Sequence, residues 1–444
     1  MKETKFKQTE VGMIPSDWEE TYLGNIGPVK MCKRVMKYQT SEKGDIPFYK
    51  IGTFGKSPDA YISKDLYHYL KNKYSFPQKG TVLISAAGTI GRTVVYDGKD
   101  AFFQDSNIVW LENDESVLTN QYLYYLYQVV EWKTENGGAV SRLYNDNFKI
   151  TPVAIPSSKK EQQRIANALS DVDSLIANLE KLIDKKKNIK QGAMQQLLTG
   201  KKRLPGFGSD ERQKECHSER SAKREVEESN GYKMTELGMI PNDWENVNIS
   251  KTCTIKARIG WQGLKSTEYL NSGDYILVTG TDFKNGFIDW STCSYVSEWR
   301  FKQDKNIQIK KGDVLVTKDG TIGKVAFLNE IPMEGTLNSG VFVVRSKDLK
   351  KIDSVYLSLV FKSSWFDNFL DEITSGSTIV HLYQKDFVKF NFPIPSSIEE
   401  QTAIANVLSD MDTEISAFET KLAKYRTLKT GMMQQLLTGK IRLV

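Results

Sequence analysis

Residues 155–204 read IPSSKKEQQRIANALSDVDSLIANLEKLIDKKKNIKQGAMQQLLTGKKRL, and residues 394–443 read IPSSIEEQTAIANVLSDMDTEISAFETKLAKYRTLKTGMMQQLLTGKIRL. Aligned without a gap, the two stretches agree at 28 of 50 positions, so the chain carries an internal duplication. Both copies open on a helix-start signal. Pro156 or Pro395 blocks earlier helix entry. Ser158 with Glu161, like Ser397 with Glu400, fits a capping box, in which each side chain satisfies the other residue's free amide. Apolar residues then advance in steps of four and three: Ile165, Leu169, Val172, Ile176, Leu179 and Ile183, repeated as Ile404, Leu408, Met411, Ile415, Phe418 and Leu422. So narrow a seam predicts two long helices paired with each other rather than a broad face on a globular core. About 40 residues at 1.5 Å each make a rod of roughly 60 Å. Gly192 and Gly431 are the expected places for a kink or an end, because a mid-helix glycine costs about 1 kcal/mol. MQQLLTG then closes the rod with an apolar turn and a glycine stop.

The repeat extends outward from the helix. TEVGMIPSDWE at 9–19 matches TELGMIPNDWE at 235–245, and GTVLISAAGTIGR at 80–92 matches GDVLVTKDGTIGK at 312–324. A module of roughly 200 residues therefore recurs, each copy ending in the long helix. Between these anchors the copies diverge, as expected of a shared scaffold doing one kind of job on two targets. The bodies read as β-rich: Val82–Ser85, Thr93–Tyr96, Ile108–Leu111, Val314–Thr317, Lys324–Leu328 and Val341–Arg345 are short apolar runs bounded by Gly, Asp and Asn. One aromatic-dense helical segment follows in each body, Asn120–Lys133 and Ser354–Glu372, and reads as core. Pro205–Tyr232 is charged and nearly free of large apolar residues, which marks a solvated linker; Cys216-His217 within it carries no clear chemistry. The chain divides at 1–155, 156–204, 205–232, 233–394 and 395–444.

With 444 residues the chain has room for several domains, and a net charge of +6 permits nucleic-acid binding without demanding it. No run of eighteen apolar residues crosses a membrane, and MKETKFKQTE lacks the apolar segment of a signal peptide. The four cysteines are scattered without a C-x-x-C pair, and the three histidines lie far apart. A disulfide framework and a metal site are both disfavoured, and a reducing cytoplasm fits. The chain has no G-x-x-x-x-G-K-[ST] loop and no Asn/Asp-Pro-Pro-aromatic motif of an amino-methyltransferase. Gly88-Thr-Ile-Gly91 and Gly320-Thr-Ile-Gly323 are too short to cradle a phosphate and read as hairpin turns. Dispersed histidines argue against a catalytic triad. These absences point to a binder.

Two variable bodies, each followed by IP-x-S…EQ-x-x-IA…LS-x-x-D…MQQLLTGK-x-R-L, resemble the specificity subunit of a type I DNA restriction-modification system. GDIPFYKIGTF, LISAAGTIGR, QDSNIVW, RIGWQGLKSTEY and LVTGTDF resemble runs of that family's target-recognition domains. The long charged linker is the departure. The resemblance implies an α+β architecture: two β-rich target-recognition domains in pseudo-two-fold arrangement, separated by two long antiparallel coiled-coil helices. It implies that each domain reads half of a bipartite, asymmetric double-stranded DNA site, and that the rod sets the spacer. Two modification (methyltransferase) subunits would dock along the helices, and two restriction (endonuclease/translocase) subunits would complete the complex. S-adenosylmethionine, ATP and Mg are expected on those partners. No cofactor, metal or catalytic residue is expected in this chain.

Guanine is read by Arg or Lys and adenine by Asn or Gln, while phosphates need only a cation or an amide. The expected contacts are Lys33, Arg34, Lys37, Ser85, Arg92, Gln104, Asn107 and Arg142 in the first body. In the second they are Arg258, Trp261, Gln262, Lys265, Lys318, Lys324, Asn338 and His381. The twelve seam residues are the expected helix-pairing and subunit-interface positions. Two other readings stay open at this point: a coiled-coil adaptor for protein partners, and a self-contained DNA-modifying enzyme.

Overall fold

The structure, a computed structural model, describes residues 5–132, 142–208, 231–374 and 381–444. The linker's Cys216 and His217 lie outside the described residues. Two compact units emerge: Met1–Lys181 together with Phe418–Val444, and Leu182–Ala417. Both unit boundaries fall inside the long helices, Lys159–Leu197 and Ile398–Leu436. Each helix has 39 residues, about 58 Å at 1.5 Å per residue. Gly192 and Gly431 lie within these helices and do not end them. The stop comes at Gly200 and Gly439, with φ of 69° and 70°, where a Cβ would also collide with Pro241 and Pro15.

In the first unit, the opening strand Trp18–Tyr22 pairs antiparallel with Pro152–Pro156, so that Trp18 faces Pro156. The repeated DWE and IP motifs are thus neighbours in space. A four-stranded sheet follows in the order Val29–Met31, Ile108–Leu111, Val82–Ser85, Thr93–Val95. Its central strands are buried on both faces, which explains their continuous apolar sequences. Val82, Ile84, Val109 and Leu111 enter a core with Trp18, Tyr122 and Ile165, while Leu83, Ile108 and Trp110 enter a second core with Phe48, Tyr67 and Phe102. A three-stranded sheet of short strands, Tyr61–Ile62, Ile46–Tyr49 and Phe102–Phe103, lines that second core.

The other unit is built on the same plan. Trp244–Asn248 pairs with Asn391–Pro395. Its four-stranded sheet runs Cys253–Ala257, Val341–Ser346, Val314–Thr317, Val325–Phe327. Its three-stranded sheet runs Ser294–Val296, Tyr275–Val278, Gly335–Leu337, and a small hairpin, Phe283–Lys284 with Phe287–Ile288, is added. The six apolar runs read from sequence are all strands. The aromatic-dense segments are core, as expected, but shorter or broken: Asn120–Leu126 in one body, Ser354–Val360 and Ser364–Thr374 in the other.

The helix seam is buried or half-buried at all twelve positions, Ile176, Met411 and Phe418 being the half-buried ones. Cross-helix ion pairs line it. In the first unit Lys429 meets Asp173 at 2.7 Å and Arg426 meets Glu180 at 2.6 Å. In the second, Lys186 meets Glu414 at 2.7 Å and Lys190 meets Asp412 at 2.5 Å. Residue numbers rise on one helix as they fall on the other, so the segments run antiparallel within each unit.

Each body's core is closed by the tail of the helix that belongs to the other module. Met433, Leu436 and Leu437 pack with Trp18, Tyr122 and Ile165; Leu197 and Leu198 pack with Trp244, Tyr356 and Ile404. An arginine in each tail locks the contact. Arg442 reaches Asp17 through two bonds of 2.8 Å and Glu161 at 2.8 Å. Arg203 reaches Asp243 through two bonds of 2.8 Å and Glu400 at 2.6 Å. This corrects the capping-box reading. Ser397 Oγ does accept from the Glu400 amide, but both glutamates are only 2% exposed in their side chains and turn to arginine instead of back to the cap. The neighbouring Gln162 and Gln401 are fully buried and tie loops together through Val117, Thr119 and Pro156, or Lys351, Asp353 and Pro395.

Removing one partner strands a buried charge, which typically costs about 3–5 kcal/mol. Arg442→Ala should therefore destabilise the unit holding residues 1–181 by that amount, and Arg203→Ala the other, read as two separable calorimetric transitions. The arginines hold the Asp17 and Asp243 carboxyls below the usual carboxylate range. A carboxyl depressed by folding stabilises above its unfolded pKa, and the gain is lost as pH falls through the folded value. The alanine variants should thus lose less further stability than the parent on acidification below about pH 4.

Candidate nucleic-acid interface

Three chain segments meet at one end of each four-stranded sheet. The first is the turn after the central strand, Ser85–Arg92 or Thr317–Lys324. The second precedes the neighbouring strand, Asp105–Asn107 or Asn338–Gly340. The third lies ahead of the closing strand, at Arg142–Leu143 or His381–Leu382. Identical backbone bonds hold them. Ala86 N donates to Asn107 O at 2.8 Å and Leu143 N to Ala86 O at 2.9 Å; Lys318 N donates to Gly340 O and Leu382 N to Lys318 O, both at 2.9 Å. The turn is braced from within. The Ser85 hydroxyl donates to Thr89 O and accepts from Arg92 N, and Thr317 does the same with Thr321 and Lys324. The hairpin reading of both GTIG turns is correct, since antiparallel strands flank each.

On this common frame the side chains differ. In the first body Arg142 Nη2 reaches Asn107 Oδ1 at 3.4 Å, and Arg34 Nε reaches Asp105 at 2.7 Å. Ser106 sits at a φ of 51°, a left-handed backbone unusual for serine. In the second body His381 Nδ1 lies 2.5 Å from Asp319 Oδ1, and Asn338 accepts from Gly340 N at 3.0 Å. Asp319 and Asn338 border an open depression of about 450 Å³, lined also by Thr279, Thr281, Thr317 and Lys324. Lys318 lies half-buried with its ammonium 5.5 Å from the Phe342 ring centroid, and Lys324 is exposed. Carboxylate, amide, imidazole and ammonium groups thus converge where a base edge or phosphate could be met.

Of the sixteen contacts expected from sequence, seven gather here: Arg34, Asn107, Arg142, Lys318, Lys324, Asn338 and His381. Lys33, Lys37 and Lys265 are exposed, with Lys33 5.0 Å over the Tyr74 ring. The rest need correction or serve the scaffold. Arg258 is only 2% exposed and donates to Leu337 O, Thr336 and Gln303; burial pulls its pKa below the usual arginine range, the neighbouring Arg300 adding to the effect. It is an internal strut. Gln262 and Ser85 are likewise buried. Gln104 accepts from Ile51 N, and Arg92 donates to Phe54 O, so both anchor a loop. Trp261 lies in the turn Gly260–Gln262. Asp319 is not among the contacts expected from sequence, which are chiefly cations and amides, although a carboxylate acceptor suits cytosine. Its signal was available: within the matched turn, Ala86-Ala87 stands where the other copy has Lys318-Asp319. Among the described residues no group of three or more His, Cys, Asp or Glu could hold a metal, and no helix is long and apolar enough to cross a membrane. Cys32, Cys253 and Cys293 are buried, and burial raises the Cys32 thiol to about 12.

The family model of the type I restriction modification DNA specificity domain matches twice, at residues 15–191 and 241–424. The chain is 26% identical over 452 residues to the type I restriction enzyme MjaVIII specificity subunit of Methanocaldococcus jannaschii, covering 99% of this chain and 97% of that one. It is 57% identical over 153 residues to a chain named among the type I restriction enzyme specificity subunits of Haemophilus influenzae, a match spanning 34% of this chain and 40% of that protein. The crystal structure of a type I restriction-modification S subunit from M. genitalium shares the fold, with a TM-score of 0.57 at 15% identity and 98% coverage of both chains.

Neutralising Lys318 and Lys324 together should weaken duplex binding by the assembled complex and lower the slope of log affinity against log salt by about 2. A filter-binding salt titration with an unchanged slope would remove both from the contact surface.

Proposed function

Because the chain belongs to the type I restriction-modification DNA specificity family, we propose that it is the non-catalytic, sequence-reading subunit of such a complex. The observation that carries this reading is the pair of matched frames whose side chains differ at the same three places: Ala86-Ala87 against Lys318-Asp319, Asp105-Ser106-Asn107 against Asn338-Ser339-Gly340, and Arg142 against His381. Matching backbone bonds with exchanged side-chain donors and acceptors are what reading two different sequences requires. Each body takes one half of a bipartite, asymmetric duplex site, and the helices set the unread spacer. Two modification subunits bring S-adenosylmethionine and methylate adenine N6 at that address. Two restriction subunits bring ATP, Mg and cleavage, all in the cytoplasm.

The test is a map of N6-methyladenine across the genome of cells with and without this chain, with its modification subunit present. One split motif should lose its methylation when the chain is removed. An unchanged map in cells that contain the active modification subunit would sink the proposal. In the same assay Asp319→Ala should relax or abolish one half of the motif and leave the other half as it was; a change in both halves would show that Asp319 acts through folding.

A further inference from the structure

One hydroxyl in the second body's depression has its direction fixed from below. The turn Gly280–Asp282 follows the strand Tyr275–Val278, and Thr279 and Thr281 line the depression together with Asp319. Asp282 is only 4% exposed. Its Oδ2 accepts from Thr279 N at 2.7 Å and from the Thr279 hydroxyl at 2.9 Å; its Oδ1 accepts from Thr292 at 3.0 Å. Its backbone carbonyl accepts from Asp289 N at 2.8 Å, closing the small hairpin between them. The hairpin's Gly286 O in turn accepts from Phe327 N, in the four-stranded sheet, at 2.9 Å. Backbone bonds thus hold the carboxylate in place.

The rest follows from counting protons. A hydroxyl has one and a carboxylate none. If Thr279 donated elsewhere, its lone pairs would face the Asp282 oxygen, so its proton goes to Asp282. Thr279 Oγ1 also lies 2.7 Å from Thr281 Oγ1. With the Thr279 proton committed, Thr281 must be the donor of that bond. Thr281 is exposed, and its oxygen has only lone pairs left for whatever enters the depression. An unconstrained hydroxyl would serve donors and acceptors alike.

We propose that Thr281 is a specificity-determining residue that accepts from an exocyclic amino group and so separates amino from keto bases at one position of the second body's half-site. Asp282 and Thr279 act through it as positioning residues. The proposal rests on the DNA-reading function above and adds the chemistry of one contact. In the major groove adenine N6 and cytosine N4 donate, whereas guanine O6 and thymine O4 accept. A locked acceptor therefore favours A or C on one strand and rejects G or T. The first body lacks this relay. Tyr49 O and Val278 O mark equivalent points, accepting from Gln104 N and Asn338 N. Beyond Tyr49, the Thr53 hydroxyl closes on its own turn, accepting from Lys50 N at 3.1 Å and donating to Lys50 O at 3.3 Å.

The full chain is expressed with its modification subunit in cells lacking both, and N6-methyladenine is mapped for each variant. The parent should give one split motif. Thr281→Val keeps the shape and removes the hydroxyl. It should admit a keto base at one position that excluded it, the preference of about ten-fold or more falling to near none. That position should lie in the half that Asp319→Ala alters, and the other half should stay as it was. Thr279→Val leaves Thr281 in place but frees its proton, so it should widen the same position, whereas Thr279→Ser should keep the parent motif. A Thr281→Val motif identical to the parent's overturns the proposal, as does widening in both halves or loss of all methylation, which would mean a structural role. Widening by Thr281→Val without widening by Thr279→Val overturns the relay. If the parent itself methylates no split motif, the functional reading falls along with the proposal; if parent and variants share one motif, the proposal alone falls.

Discussion

Everything in this chain hangs on an arginine that reaches two carboxylates from a distant part of the sequence. Glu161 and Glu400 are sequestered beneath their bodies, and a buried carboxylate left unpaired would be strongly destabilising. Arg442 and Arg203 make each tolerable through forked bonds that lysine's point charge could not supply, with the guanidinium 5.8 Å over the Trp18 or Trp244 ring. The arginine arrives on the LLTGK-x-R-L tail, and the same tail brings the leucines that close the core. A body whose tail is missing loses apolar closure and charge balance together. This makes the two compact units interdependent along the chain: residues 418–444 complete the unit of residues 1–181, and the helix that starts in that unit ends in the other.

That dependence explains which parts of the duplicate stayed alike. Residues of the clamp and the loop-tying glutamines, identical in both copies, each touch several elements, so changing one breaks several contacts, whereas the seam keeps only its apolar character, with Val172, Leu179 and Ile183 matched by Met411, Phe418 and Leu422. Side chains at the sheet end bond chiefly to one another, as Arg34 does to Asp105 and His381 to Asp319. Ser85 and Thr317 do the same bracing with different residues, while the pair that follows can be two alanines in one body and lysine–aspartate in the other. A backbone frame with exchangeable tips can change what it reads without refolding.

Much of this was legible in sequence because it is written twice. The matched seams, the DWE and IP motifs and the strand runs are periodic, and comparison of the chain with itself separates frame from variation. Other features left no such trace. The strands Tyr61–Ile62 and Phe102–Phe103 are two residues long, too short for a periodic signal. Arg258 looked like a base reader by residue type, but its role depends on acceptors at Leu337, Thr336 and Gln303 that only the fold brings near it. Glu161 and Glu400 fit a local capping pattern, yet a tail from the other module claims them; local rules lose when a buried charge has a better partner elsewhere.

The exchange at Arg142 and His381 shows how far one frame can be retuned. Arginine is a fixed cation with donors only, and in the first body it lies against an asparagine carbonyl. Histidine can donate or accept, and in the second body a carboxylate 2.5 Å away holds its Nδ1 edge. The two bodies therefore present different hydrogen-bonding groups at one backbone position, a guanidinium in one and an imidazole in the other. A base edge complementary to one would leave the other with an unmatched group, and an unmatched polar group in a desolvated contact costs about 1–3 kcal/mol. Discrimination between the two targets therefore needs no difference in fold, only exchanges of side chain at the few tips that the frame holds in place.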